Sequence, residues 1–138
     1  MTRREDWPER LLDIVARHDA LAFGWGVSDC YLLPMDAVLA MTGAEPWPGV
    51  RGGYTSEIGA GKLLRQRGFA NVADAFASAF PEVPPALAGR GDLGVVKVPE
   101  GSGFAGVVCI GTGFVGKHAD RPGNIRIPRA FVLRAFRV

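Results

Sequence analysis

The order of the sequence patterns constrains the fold of this chain more than any other feature. Apolar residues recur with helical spacing in the first half of the chain, up to about residue 80. From residue 93 onward, short runs rich in β-branched residues alternate with glycine-containing turns, which is typical of strands. A proline-rich connector, residues 81–90, separates the two halves. Helices followed by antiparallel strands predict the α+β class, with N-terminal helices packed on a C-terminal sheet of about five strands.

Local start and stop signals divide the first half into four helices. Asp6 with Glu9 three residues later predicts a capping box at the start of the first helix. The second helix is expected to begin near Asp29 or Cys30 and to end at Gly43, because glycine often follows the last helical residue. The signals of the two shorter helices are Thr55 or Ser56 and then Gly68 for the third, and Asn71 with Asp74 and then Phe80-Pro81 for the fourth.

The second half of the chain predicts a meander of about five strands. Gly111-Thr112-Gly113 has the composition of a hairpin turn. The chain has 138 residues and no internal repeat, so we expect a single domain over residues 1–138. The predicted strands cover residues 93–98, 104–110, 114–117, 124–127 and 131–138.

Composition argues against several classes of function. The formal net charge is only +2, which gives no global argument for a nucleic-acid partner. No apolar stretch follows the first arginines, so no signal peptide is expected, and the glycine-rich run over residues 101–116 is too short and too broken to span a bilayer. The two cysteines and two histidines lack metal-ligand spacing, and no phosphate-binding glycine loop is present, so we expect no metal and no cofactor.

Cys30 has the clearest potential for chemistry. It is expected in the first turn of the second helix, where unpaired backbone N–H groups and the positive end of the helix dipole favour a thiolate. A thiolate nucleophile normally works with a base. His18 is expected at the end of the first helix, as a cation near its last carbonyls, and His118 in a polar turn after a strand. The alternative is that Cys30 is a buried residue that only packs well.

Four short motifs occur in an order that carries a family resemblance. They are Trp25-Gly26-x-x-Asp29-Cys30, Arg51-Gly52-x-Tyr54, Gly91-Asp92-Leu93 and Gly106-Val107-Val108. Together with an early cysteine-bearing helix and a late antiparallel sheet, they resemble the NlpC-type cysteine peptidase and amidase superfamily, whose fold is papain-like. A compact branch found in tailed phages and prophages is the most similar, and it shares an ending like Phe136-Arg137-Val138. The resemblance covers about residues 8 to 138.

The resemblance implies both an activity and a defect in it. Active members hydrolyse peptide bonds in cell-wall stem peptides, and the cysteine that matches Cys30 is their nucleophile. Their base is a histidine that opens the strand after the Gly-Asp-Leu strand. The matching positions here are Phe104 and Ala105, which cannot accept a proton. Loss of one triad partner removes several orders of magnitude in rate, so we expect a pseudoenzyme.

Three function hypotheses follow. The first is a phage or prophage tail-associated protein, at the tail tip, with a mainly structural or assembly role. It would be made in the bacterial cytoplasm, reside in the virion tail and contact other tail or particle proteins. The second is an active cysteine peptidase or amidase of cell-wall peptides, with Cys30 as the nucleophile and His118 as a substitute base; otherwise His118 is a surface-loop histidine. The third is a non-catalytic binder of peptidoglycan peptides in the old cleft.

Three side chains of the first half are further binding candidates. Asp29 is either a site carboxylate or the cap of the second helix. Trp25 either packs in the core beside Cys30 or forms the wall of a groove. Trp47 lies between two prolines, so it is either presented by a stiff loop or folded back onto the domain.

The C-terminal region adds a basic edge. From residue 121 to residue 138 the chain has five arginines and no acidic residue. Arg134 and Arg137 are the candidates for contacting a partner protein. The alternative is that these arginines are solvated residues on strand faces.

Overall fold

The computed structural model describes residues 1–98 and 103–138. The helices are α1 (Trp7–Asp19), α2 (Leu32–Thr42), α3 (Glu57–Gln66) and α4 (Val72–Ala79). The strands are β1 (Glu82–Val83), β2 (Leu93–Lys97), β3 (Phe104–Cys109), β4 (Phe114–Lys117), β5 (Asn124–Ile127) and β6 (Arg134–Phe136). Two short 3₁₀ turns cover Pro85–Leu87 and Arg129–Phe131. The glycine-rich run considered above begins at residues 101 and 102, which lie outside the described residues. Within the described ranges, no helix is long and apolar enough to cross a membrane.

The strands form one antiparallel sheet with the order β1-β6-β2-β3-β4-β5. The predicted α+β class, with helices first and the sheet after them, is therefore confirmed. The additional strand is β1, which forms inside the proline-rich connector because Glu82 and Val83 pair with β6. Strand β6 is shorter than the predicted 131–138, since Phe131 belongs to a 3₁₀ turn and residues 132–133 and 137–138 lie outside the strand.

The two faces of the sheet carry different layers. The helices cover one face, where Leu93, Val108 and Phe136 join the main core. Val107 and Cys109 point to the other face, because side chains alternate along a strand, and they join a smaller apolar cluster. This alternation decides which residues of β3 can approach the helices.

Helix α2 begins at Leu32, later than its expected start at Asp29 or Cys30. The Leu33 N–H donates to the Asp29 carbonyl at 3.1 Å. The next residue is Pro34, which has no N–H to donate to the Cys30 carbonyl, so the regular helical pattern is interrupted there. Cys30 therefore lies in the turn that leads into the helix rather than within it.

Most of the predicted helix boundaries have the expected physical cause. Ser56 and Asn71 cap α3 and α4, because each side chain accepts an N–H hydrogen bond from the first turn. Gly43 ends α2 in the left-handed conformation, with φ of 75°. The capping box predicted for α1 is wrong: the Asp6 side chain accepts no cap hydrogen bond, and its carboxylate pairs instead with Arg10 at 2.8 Å.

Candidate functional site

Cys30 and the strand expected to carry a base lie in contact. The Cys30 residue is only 6% exposed and packs against β3 at Gly106. A β-carbon at Gly106 would lie 2.8 Å from the Cys30 carbonyl oxygen, so only glycine permits this approach. Two of the four sequence motifs, separated by more than half of the chain, therefore meet at this point.

The environment of Cys30 favours the neutral thiol. Burial raises the pKa of Cys30 strongly, and the neighbouring Asp29 carboxylate raises it further. Backbone N–H groups of Cys30 and Gly106 lower the pKa by less. The expectation that the helix start would stabilise a thiolate is therefore wrong for this chain. A protonated, buried thiol is a poor nucleophile.

The anion at the start of α2 is the Asp29 carboxylate. Its Oδ1 accepts hydrogen bonds from the N–H groups of Tyr31 and Leu32, and its Oδ2 accepts one from Gly26, all at 2.8 Å. The Tyr54 hydroxyl donates to the same carboxylate, at 2.8 Å to Oδ2. Asp29 thus makes capping contacts to the turn that leads into α2, close to the cap interpretation of the sequence, although the helix itself begins three residues later at Leu32. It also binds the N–H groups that would otherwise have stabilised a thiolate.

Strand alternation separates the two positions at which the family resemblance places a base. Phe104 and Gly106 have the same parity along β3 and point toward the helices, whereas Ala105 points to the opposite face. Phe104 is therefore the position on the Cys30 side of the sheet. Its phenyl ring packs on the main core and offers no proton acceptor.

The structure places His118 in the polar turn after β4. Its Nδ1 accepts a hydrogen bond from the Asp120 N–H at 3.1 Å and lies 4.0 Å from Asp120 Oδ2. These contacts agree with the alternative in which His118 is a surface-loop histidine. On the preceding residue, Lys117, the ammonium donates to the carbonyls of His18 and Leu21, both at 2.7 Å. Lys117 is thus the cation at the end of α1, a role that the sequence had suggested for His18.

His18 lies in the last turn of α1, as the sequence predicts, but its ring is fully buried between polar partners from other segments. Its Nδ1 lies 2.7 Å from Ser28 Oγ, and its Nε2 lies 2.7 Å from Asp36 Oδ2. The two ring nitrogens therefore link Ser28, in the turn before Cys30, to Asp36 in α2. The hydrogen bonds of His18 thus connect α1 with the turn that contains Cys30 and with α2.

Ser28, His18 and Asp36 form a group of buried polar residues, in which Asp36 accepts the largest number of hydrogen bonds. It also accepts hydrogen bonds from Arg17 at 2.7 Å and from Arg51 at 2.5 Å. Burial acts to raise the pKa of Asp36, but hydrogen bonds from His18 and Arg51 more than offset it, so the net pKa is lowered. The residue types are those of a hydrolytic triad, yet Ser28 and His18 have no exposed surface. No substrate can reach them in this structure.

The Arg51-Gly52-x-Tyr54 motif supplies structure to the same region. Arg51 binds Asp36, and Tyr54 binds Asp29. Burial raises the pKa of Tyr54 and the Asp29 charge raises it further, so its hydroxyl stays a donor. Sequence reasoning missed Asp36 as a residue of this region. A usable signal was present, because Asp36 is the charged residue of the otherwise apolar helix α2.

The two tryptophan candidates lie in different environments. Trp25 is half-buried, with ring centroids 5.1 Å from Phe23 and 6.0 Å from Tyr31. Trp47 is buried and folded back, because its Nε1 donates to the Ala75 carbonyl at 2.8 Å. Of the two interpretations of Trp47, exposure on a stiff loop is therefore wrong.

The two arginine candidates also differ. Arg134 forms a two-point ion pair with Glu82, with nitrogen–oxygen distances of 2.7 and 3.0 Å. The hydrogen bond from Arg134 lowers the pKa of Glu82 by more than burial raises it. The Arg137 side chain is exposed, and its one hydrogen bond within the described part of the chain is a long one, 3.4 Å, to the Leu87 carbonyl. Arg137 is thus the candidate whose guanidinium remains available.

Two concave regions remain to be considered. One is an apolar cavity of about 30 Å³ between the helices, lined by residues that include Tyr31, Trp47 and Leu64. This volume holds about a single water molecule and is too small for a substrate. The other is an open groove of about 590 Å³ beside Arg3, Arg90 and Arg137. Among the described residues, no group of three or more histidine, cysteine or acidic side chains is arranged to hold a metal ion.

Comparison with known proteins adds a family without an assigned activity. Residues 2–138 match the family described as a domain of unknown function (DUF6950), and the chain therefore belongs to that family. No curated protein matches the chain.

Proposed function

We propose that this chain is a pseudoenzyme of the NlpC-like, papain-like type that serves in the assembly of a phage or prophage tail, at the tail tip. The order of the four motifs and of the helices and strands supports this proposal. The observation that carries it is the state of Cys30. Its thiol is buried and protonated next to Asp29, and the position of the expected base is occupied by Phe104.

Peptide hydrolysis by a cysteine nucleophile requires a thiolate and a proton acceptor within hydrogen-bond reach of it. Here the carboxylate of Asp29 holds the N–H groups at the start of α2. At the position where the resemblance implies a nucleophile, the chain thus has a packed, hydrogen-bonded turn. A domain whose motif residues are engaged in holding its own fold acts through its surface, which supports an assembly role.

Thiol reactivity tests the non-catalytic part of the proposal. In a Cys109→Ser background, Cys30 is the remaining cysteine, and the rate of iodoacetamide alkylation can be followed against pH. We expect slow labelling with an apparent pKa above about 8.5, the value of a free thiol, because Cys30 is buried beside a carboxylate. The same variant unfolded in urea gives the reference rate.

An active enzyme would give a different result. Fast labelling with an apparent pKa below about 7, or hydrolysis of cell-wall stem peptides that disappears in Cys30→Ser, would overturn the non-catalytic assignment. The assembly role has its own test, which is mass spectrometry of purified particles from a host that carries the gene. We expect the chain to be present in the particles, and its absence would contradict a tail location.

A further inference from the structure

The open groove beside the two chain ends is built from three separate segments. Arg3 and Trp7 come from the first residues, Leu87, Arg90 and Asp92 from the loop before β2, and Arg137 from the end of β6. These six residues, together with Gly89 and Val138, line the basic groove, whose volume is about 590 Å³.

The floor of the basic groove is held by a dense set of hydrogen bonds. Arg3 donates to Val138 O at 3.0 Å, to Arg90 O at 2.8 Å and to Asp92 Oδ1 at 2.9 Å. Asp92 is buried and also accepts the N–H groups of Val138 and Gly89, at 3.1 and 2.8 Å. The position of the groove walls is therefore fixed by several converging hydrogen bonds, most of them partly buried.

Trp7 forms an apolar wall between two guanidinium groups. The Arg3 guanidinium lies 4.2 Å from the ring centroid and that of Arg90 lies 5.5 Å from it. Gly91 makes this arrangement possible, because it has φ of +91° and a β-carbon there would lie 2.8 Å from Arg3. The glycine lets the loop present Arg90 at the groove.

The charges of the basic groove are not balanced. Among residues 1–98 and 103–138, neither Arg90 nor Arg137 forms an ion pair with a carboxylate, whereas Arg10, Arg51 and Arg134 each do. Burial lowers the pKa of Arg3; Asp92 opposes this effect, and the nearby positive charge of Arg137 adds to it. Exposed guanidinium donors without an anionic partner provide sites for a carboxylate or phosphate.

We infer that the basic groove binds an acidic peptide segment of a partner protein, with carboxylates of that segment paired to Arg90 and Arg137. This inference rests on the proposed function, since it names the contact through which an assembly protein would hold its neighbour. The groove is open rather than enclosed, which suits an extended segment better than a small molecule. Leu87 is 65% exposed at its rim and offers apolar contact to a side chain next to the carboxylates.

A peptide titration of the full-length chain tests the inference. The probe is a short fluorescent peptide of alternating glutamate and leucine, and the matched peptide has glutamine in place of glutamate. We expect the glutamate peptide to bind and its affinity to fall with added salt, while the glutamine peptide binds at least about tenfold more weakly. Arg90→Gln/Arg137→Gln should weaken binding of the glutamate peptide by about tenfold or more, because two charge-assisted contacts are lost.

The matched control is Arg121→Gln/Arg126→Gln, which removes the same charge from exposed arginines outside the groove. Its affinity should stay within about twofold of the unmodified chain. Equal weakening by both pairs, or no difference between the two peptides, would overturn the inference, because general electrostatic attraction would then explain binding. Tighter binding of a single-stranded DNA oligonucleotide or of pyrophosphate, lost in Arg90→Gln/Arg137→Gln, would replace the acidic peptide by a phosphate ligand.

Different results would refute the proposed peptide binding in the groove and the proposed assembly role. Peptide binding that depends on Arg90 and Arg137, in a chain absent from purified particles, would refute the tail location and leave the groove assignment intact. A chain present in particles that binds neither peptide would refute the groove alone.

Discussion

The Cys30 region and the basic groove use polar residues in opposite ways. Around Cys30, the side chains of His18, Ser28 and Asp29 are fully buried and each has a hydrogen-bond partner. In the groove, Arg90 and Arg137 are exposed and have no carboxylate partner among the described residues. The residue types associated with catalysis thus serve the fold, while arginines of ordinary appearance are left available for contact. Residue type alone does not identify a site; exposure and the lack of an internal partner are needed as well.

Physical chemistry explains why the two regions differ. A buried polar group without a hydrogen-bond partner costs about 1–3 kcal/mol, so buried groups are paired in stable folds. An exposed arginine has water as a partner and needs none from the protein. The following predictions test this contrast, and they run from the largest expected effect to the smallest.

Asp36→Asn should destabilise the fold by about 3–5 kcal/mol, because it removes the charge that Arg17, His18 and Arg51 share in a buried setting. Urea unfolding at neutral pH measures the change. The control is Glu45→Gln, which removes the exposed partner of Arg51 and should cost less than about 1 kcal/mol. Equal effects of the two substitutions would contradict the contrast between the regions.

The same carboxylate gives a pH dependence whose sign is fixed. The pKa of Asp36 is lower in the folded chain than its ordinary value, so its contribution to stability is present above about pH 4 and is lost as pH falls through the lower, folded pKa. The difference in unfolding free energy between the unmodified chain and Asp36→Asn should therefore be largest near neutral pH and shrink in acid. A difference that grows below about pH 4 would contradict this assignment.

Tyr54→Phe should lower the free energy of unfolding by about 1–3 kcal/mol, because it removes the hydroxyl group that donates a buried hydrogen bond to Asp29. Tyr31→Phe is the matched control, since its hydroxyl makes no hydrogen bond within the described residues, and it should change stability by less than about 0.5 kcal/mol. Thermal unfolding of both variants gives the comparison. A larger loss in Tyr31→Phe would show that the ring, and not the hydrogen bond, stabilises this region.

Phe104→His should lower the pKa of Cys30 by about one unit, or about 1.4 kcal/mol, through a thiolate–imidazolium pair. Position 104 points to the helix side of β3, whereas Ala105→His would place its ring on the opposite face and should leave the thiol unchanged. The pH dependence of alkylation in the Cys109→Ser background distinguishes the two. A lowered pKa in Ala105→His alone would show that the face assignment is wrong.

Arg90→Gln/Arg137→Gln should change the free energy of unfolding by less than about 0.5 kcal/mol, because neither side chain is paired with a carboxylate of residues 1–98 or 103–138. Urea unfolding measures this small effect beside that of Asp36→Asn. A loss of about 2 kcal/mol or more would mean that the groove arginines hold the fold, as the Cys30 region does.

The sequence predicts the fold to a useful degree because its signals are local. Helix spacing, the caps at Ser56 and Asn71, and the left-handed Gly43 depend on neighbours within a few residues, and the structure confirms them. Strand β1 was missed because Glu82–Val83 is too short to show a pattern and forms only by pairing with the last strand. Local patterns do not report such pairing across the chain.

The candidate site was predictable only in part for the same reason. The capping contacts that Asp29 makes to Tyr31 and Leu32 follow from its neighbours, and the contact between Cys30 and the Gly106 strand was implied by the resemblance. The contacts of His18 were missed because its partners Ser28 and Asp36 are ten and eighteen residues away, with no periodicity that links them. Whether a polar residue is buried or exposed depends on packing between segments, which residue order alone leaves open.

Asp92 has a mechanical consequence for the whole domain. It binds Arg3 through one oxygen and also accepts the N–H of Val138, so residues that are 135 positions apart in the chain share one carboxylate. A pulling force applied at these two residues would load the Asp92 junction first and then the pairing of β6 with β1 and β2. Because Arg3 and Val138 lie side by side, a segment spanning residues 3–138 could also be inserted into a surface loop of another protein without forcing the ends of that loop apart.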